Sequence, residues 1–346
     1  MSSVLPPPCS RATGVGALPY THPKEACDQV LATYPDIPYI PTLPNRGLLE
    51  TIVFSDSSRL PGRRIEEGRM TVDRSRDLTR ELEQVYLDFM EKNTTPYAIT
   101  PEYASCFAEM SQRTFSGSLF LKCQVTGPVT LGMQVVDDQR RPVYYDDQFA
   151  DVLAKMIALR ARWAEKEMSG FSGVTKTLVM LNEPYLASLG SSVVPIRKEL
   201  VTSGWEDISG MIDGGLGIHC CSNTDWEYVM ELFPSVISFD AFSGAREFLL
   251  YLDKAVSYME KGGIIAWGII PSQPDLFSAC SPDTFLERYR LIQKQVTGSC
   301  SEELFFRQSL ITPTCGIQSA DSGIAEEIMK AARTLSDRIR EEHGGT

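Results

Sequence analysis

Gly217-Ile218-His219-Cys220-Cys221-Ser222-Asn223-Thr224-Asp225-Trp226 is the stretch on which the reading of this chain turns. The apolar residues at its start predict a strand over 216–221 that runs into a polar turn. Side chains alternate along a strand, so His219 and Cys221 share one face while Cys220 points to the other. One imidazole and one thiol offered to a common point make half of a metal site, and any further ligands must come from strands that end nearby.

Seven more short apolar runs, at 12–18, 37–43, 119–125, 177–181, 236–242, 264–270 and 305–312, bring the count of expected strands to eight. Longer amphipathic stretches separate them. Over 146–168, Phe149, Leu153, Ile157, Arg160 and Ala164 recur at steps of three or four, and 322–340 behaves alike. Met156 and Trp163 on the first of these helices read as packing residues. Strands alternating with helices predict a parallel sheet, and eight of them close a barrel. The expected fold class is therefore α/β, a single (β/α)8 TIM barrel forming one domain over 1–346. The segment from about 45 to 117 is too long for a plain crossover. It holds a Gly/Pro/Arg-rich turn at 60–68 and a charged helix at 73–92, and is expected as an excursion over one rim after the second strand.

A barrel gathers all its strand C-termini at one mouth, which makes neighbours of residues far apart in sequence. Asp240 ends the strand after His219, and Cys315 follows the last strand. Taken singly, each of these residues reads as easily as part of the core. As a set at strand ends, His219, Cys221, Asp240 and Cys315 point to a metal, and mixed nitrogen and sulfur donors suit Zn²⁺ rather than Mg²⁺ or Ca²⁺. Of the other histidines, His22 belongs to no such set and His343 sits in a Glu-Glu-His-Gly-Gly tail expected to fray. Cys9, Cys27, Cys106, Cys123, Cys280 and Cys300 show no C-x-x-C spacing.

Bulk properties narrow the partners. With 45 acidic against 33 basic residues the net charge is −12, which argues against nucleic-acid binding, since phosphate contact needs a basic surface. No run of 18 apolar residues suggests a membrane span, and the start, MSSVLPPPCSR, lacks the basic-then-apolar layout of a secretory signal. Nine cysteines, an odd number without secretory context, read as reduced thiols. A cytoplasmic protein is expected.

Five segments together resemble the catalytic C-terminal barrel of cobalamin-independent methionine synthase. They are Ala12-Thr13-Gly14-Val15-Gly16-Ala17-Leu18-Pro19, Gln124-Val125-Thr126-Gly127-Pro128-Val129-Thr130, Asn182-Glu183-Pro184, His219-Cys220-Cys221 and Thr312-Pro313-Thr314-Cys315-Gly316. The resemblance runs from about Thr13 to Ser336, and its wider superfamily includes uroporphyrinogen decarboxylase and zinc methyltransferases acting on methylated corrinoid proteins. It implies a zinc ion held by His219, Cys221, Asp240 (where the family has Glu) and Cys315, and a substrate thiol, homocysteine, contacted by Val15, Gly16, Ala17, Asn182 and Glu183; beside the resemblance, Glu50 is a further carboxylate that, with Glu183, is a candidate to supply negative charge to the substrate's amino group. Ala17 stands where the family has Ser, and Asn182 where it has Asp, so a charge-assisted contact to an ammonium is missing.

The family's histidine that protonates a folate leaving group is also missing, since the matching segment reads Ala266-Trp267-Gly268-Ile269-Ile270-Pro271. No acid–base catalytic residue is therefore assigned. A donor that leaves without a proton, methylcobalamin on a corrinoid protein, is implied ahead of methyltetrahydrofolate. The expectation is methyl transfer to a zinc-bound thiol, giving methionine if the thiol is homocysteine; the alternatives are a non-catalytic zinc-binding barrel and a decarboxylase-like enzyme of the same superfamily.

Overall fold

The structure, a computed structural model, describes residues 5–344; residues 1–4, on which the reading of the N-terminus partly rests, lie outside the described residues. Among the described residues nine strands are formed: β1 (Arg63–Glu66), β2 (Arg69–Val72), β3 (Leu121–Thr126), β4 (Val136–Asp137), β5 (Thr177–Asn182), β6 (Gly215–Cys220), β7 (Val236–Phe239), β8 (Ile264–Ile270) and β9 (Ser309–Pro313). Six of them make one curled parallel sheet in the order β3-β5-β6-β7-β8-β9, with helices in the connections. β6 and β8 are buried along their whole length because both faces are covered, as parallel sheets require.

Side chains of opposite parity on these strands enter two separate clusters. Val179, Leu181, Ile237, Ile265, Trp267 and Ile311 pack in the large core shared with the helices. Leu178, Met180, Val236, Ile264, Ala266 and Leu310 form a smaller inner core with Ile37, Phe120 and Leu5. Each such aliphatic side chain contributes about 1.5–3 kcal/mol when fully buried. Along the chain direction the inner parity turns polar: Phe120 leads through Lys122 to Gln124, Leu178 and Met180 lead to Asn182, Gly217 to His219, and Val236 to Ser238. The same strands thus supply an apolar floor and, above it, a polar mouth.

Where eight regular strands were expected, the sheet has six. The two N-terminal segments lie along its two edges and are reduced to isolated parallel bridges, Ala12 to Ile311, Tyr39 to Lys122, and Ala17 to Thr42. Thr13 N donates to Ile311 O at 3.1 Å, Ile40 N to Lys122 O at 2.8 Å, and Leu18 N to Thr42 O at 3.0 Å. The physical reason is composition: Pro38, Pro41 and Pro44 remove donors from the second segment, and Gly14 and Gly16 weaken the first. Smaller corrections follow the same logic. The run at 236–242 stops at Phe239 because a helix, Ala241–Phe248, starts immediately, and the first residues of 305–312 belong to the helix Glu302–Arg307.

The excursion at 45–117 exists, but part of its Gly/Pro/Arg-rich turn is strand. β1 and β2 form an antiparallel hairpin closed by Gly68 at φ 75°, and β2 also pairs with β4. The charged helix occupies Thr79–Glu91. The excursion is pinned to the long helix Asp147–Ser169 by Arg160, which is almost fully buried. Its guanidinium donates to Tyr97 O, Ala98 O, Ser55 O and Ser58 Oγ, and lies 3.5 Å from the carboxylate of Asp56. Arg160 is therefore more than a seam residue. Met156 is buried, and Trp163 packs on Phe107 with ring centroids 5.6 Å apart. His343 is not frayed: its ring stacks on Phe306 at 4.3 Å. No helix among the described residues is long and apolar enough to cross a membrane.

Candidate metal centre

His219 is the fifth residue of β6, placed between Asn182 of β5 and Ser238 of β7 by the parallel register. It is 4% exposed. Its Nδ1 meets Ser238 Oγ at 2.9 Å, while its Nε2 is buried without a hydrogen-bond partner. Buried ring nitrogens are rarely left so, because desolvating a polar atom without replacing its water is costly. Cys221 follows the end of β6 on the same parity, and Cys315 follows β9. One donor atom from each of His219, Cys221 and Cys315 lies within 4.8 Å of the other two.

The electrostatics are those of donors crowded toward one point. The neighbouring Cys315 and then His219 hold the Cys221 thiol down to about 4, against burial, which acts the other way. Cys221, with burial second, pushes Cys315 up. Donors within 4.8 Å of one another are spaced as ligands of one ion would be, and the orphaned Nε2 would supply the nitrogen. The three residues therefore form a group that can hold a metal ion.

Asp240 stands outside this group. It is the N-cap of the helix Ala241–Phe248, with Oδ1 accepting from Ser243 N at 2.9 Å. Burial raises its carboxyl above the usual range, and Cys221 adds to the rise, so the two residues sense each other.

The three donors open onto a cavity of about 270 Å³. Val15, Ala17, Asn182 and Glu50 line it. Gly16 lies at the wall, where a Cβ would meet Gln124 Cγ at 2.9 Å. Glu183 is not among the residues that line this cavity. Its carboxylate accepts from Val129 N at 3.0 Å, Thr130 N at 2.8 Å and Thr130 Oγ at 2.7 Å, at the N-terminus of the helix Pro128–Gln134. A Cβ on Gly127 would fall 2.1 Å from that carboxylate. The Thr-Gly-Pro-x-Thr and Asn-Glu-Pro segments are thus the two halves of one buried lock. Burial pushes Glu183 up to about 7 even against those three hydrogen bonds.

Glu50 is at the cavity but is fully engaged. It accepts from Leu43 N at 3.1 Å and Ser105 N at 3.2 Å and pairs with Arg46. Four contributors escaped sequence reasoning: Ser238, which orients His219, Gln124, Asp56, and Lys122. Lys122 Nζ donates to Gly14 O at 2.6 Å and Val15 O at 3.2 Å beneath the first loop, and burial lowers its pKa to about 7. The parity of β3 and β7 carried the signal for Gln124, Lys122 and Ser238; Asp56 had none.

No protein-family model matches the chain, and no curated protein matches it. Solved structures do. The chain is similar to a B12-independent methionine synthase from Shewanella sp. W3-18-1 in complex with selenomethionine, at 14% identity and TM-score 0.58, over 98% of this chain and 99% of that one. It is also similar to the putative vitamin-B12 independent methionine synthase from Listeria monocytogenes, at 13% identity and TM-score 0.56, over 92% of this chain and 86% of that one. At these identities the likeness establishes the fold: an α/β protein with the TIM-barrel-like architecture of the methionine synthase structures.

Proposed function

We propose that this chain is a zinc-dependent methyltransferase that transfers a methyl group to a metal-held thiol, in the manner of methionine synthases. In this reading the two bridge-only segments count as the first and second strands, and the molecule is a (β/α)8 barrel. The observation that carries the proposal is the buried, partnerless Nε2 of His219 crowded against Cys221 and Cys315 on the wall of a cavity.

His219, Cys221 and Cys315 would hold Zn²⁺, with Ser238 fixing the ring so that Nε2 faces the ion. When bound, zinc lowers the pKa of a coordinated thiol so that sulfur is presented as a nucleophilic thiolate at neutral pH. The chain's own part is positioning. Val15 and Ala17 bound the thiol's approach, and Asn182 with Gln124 forms the wall against its other end. Asp240 is the carboxylate available to complete the shell before substrate arrives. Homocysteine is the thiol the family resemblance implies and the reference against which others are measured.

A donor that needs no protonation of its leaving group, a methylated corrinoid protein, suits a site whose cavity wall offers no lysine or arginine and whose β8 is apolar throughout. Methyltetrahydrofolate is the competing donor. Nine free thiols suit a reducing, cytoplasmic setting.

The test is zinc content of the purified protein and of Cys315→Ala, followed by metal-edge absorption with homocysteine added. About one zinc per chain, lost in the variant, with a sulfur ligand gained from the thiol, is expected. A protein that takes up no zinc sinks the reading and favours a decarboxylase-like enzyme; zinc that ignores thiols leaves a binding barrel.

A further inference from the structure

The charges at the cavity point to a narrower substrate class than thiols at large. No lysine or arginine lines the cavity. Its two carboxylates are already matched: Glu50 as above, and Asp56 by Thr126 N at 2.8 Å, Ser55 Oγ at 3.0 Å and the Arg160 guanidinium. A free α-amino acid brings an ammonium and a carboxylate, and the wall has no unmatched group of opposite sign for either. Transferring a charge from water into such a site is strongly disfavoured.

The wall does offer a neutral pair. Gln124 Nε2 donates to Asn182 Oδ1 at 2.8 Å. This leaves Asn182 Nδ2 as a donor and Gln124 Oε1 as an acceptor with no protein partner among the described residues. Turning both amides over exchanges the roles, yet one donor and one acceptor remain in either arrangement. A primary carboxamide or a hydroxyl presents the complementary pair.

We infer that the preferred thiol carries an uncharged hydrogen-bonding group, a carboxamide or hydroxyl, at the end remote from sulfur, and that Asn182 and Gln124 select it. This rests on the thiol-methyltransferase reading and sharpens its substrate. The selection works by rejection as much as by attraction, because a charged end loses its water at the amide pair and gains no counter-charge.

The experiment uses the Co²⁺-loaded full chain and follows the sulfur-to-cobalt charge-transfer band while titrating five thiols: 3-mercaptopropanamide, 2-mercaptoethanol, 3-mercaptopropionate, cysteamine and homocysteine. The two neutral thiols are expected to bind about tenfold more tightly than the three charged ones. Asn182→Asp, which keeps the size of the side chain and the hydrogen bond from Gln124, is expected to move cysteamine and homocysteine ahead of the carboxamide. Homocysteine or another charged thiol binding as tightly as the neutral ones, or an order unchanged by Asn182→Asp, overturns the inference while leaving the methyltransferase reading intact. A band that no thiol perturbs overturns both, and so separates the two failures.

Discussion

Around one cavity the protein keeps two kinds of polar residue. On the wall made by β6 and the turn after β9, His219, Cys221 and Cys315 crowd together, Ser238 holds one ring nitrogen of His219, and the other ring nitrogen has no partner. Around β3, β5 and the start of the excursion, Glu50, Asp56, Glu183 and Lys122 are as buried as His219, and each is matched by backbone, by a neighbouring side chain, or by both. The lesson is that burial and motif membership do not by themselves make a ligand. What marks the first group is a valence the fold leaves unfilled, and what marks the second is that nothing is left over.

The comparison is most open to breakage at Glu183, whose role is assigned to the scaffold. Burial raises its folded-state pKa from 4.5 to about 7. The native state then holds the proton more tightly than the unfolded chain. The resulting stability is fully present below about pH 4.5 and is lost as pH rises through about 7. Urea unfolding at intervals from pH 4.5 to 8 should show this as a decline of up to about 3 kcal/mol that Glu183→Gln removes. Zinc content of the variant should stay at the unmodified level. A variant that keeps the pH slope, or that loses zinc, would move Glu183 to the other group.

Ser238→Ala tests the first group from behind. It touches no metal, but it frees His219 Nδ1 from the contact that sets the ring. Removing such an orienting partner commonly costs about 10–100-fold in metal affinity. Competition against a zinc chelator should show a loss of at least about tenfold. Unchanged affinity would mean that the imidazole is positioned by packing alone.

The division explains what was legible in the sequence. Strand positions from 177 to 270 followed from apolar runs, and the parity of His219 and Cys221 placed them on the inner face, because alternation is a local property of extended chain. Cys315 required only that strand ends converge. The reduction of the first two strands to bridges was harder, since apolar patterning outweighed Pro38, Pro41, Gly14 and Gly16 in the reading. Matching was invisible. That Glu50 already faces Arg46, and that Glu183 belongs to Thr130, depends on contacts across 4 to 53 residues that no spacing encodes. Asn182 was recognised as a lost charge, but its pairing with Gln124 58 residues away gives that loss its chemical meaning.

Asp240 is the residue that sits between the two groups, and the smallest expected effect belongs to it. It shares inner parity with Ser238, and its charge is felt by Cys221 and Cys315, yet one of its oxygens is spent on Ser243 N. Asparagine caps helices about as well as aspartate, so Asp240→Asn removes the charge while keeping the cap. If the carboxylate is chiefly a cap, stability should change by no more than about 0.5 kcal/mol and zinc affinity by about threefold, the size of a weakly screened charge nearby. A loss of zinc affinity of about 100-fold with stability retained would make Asp240 a ligand whose capping contact is released when metal binds, and would place it with the unfilled valences of His219.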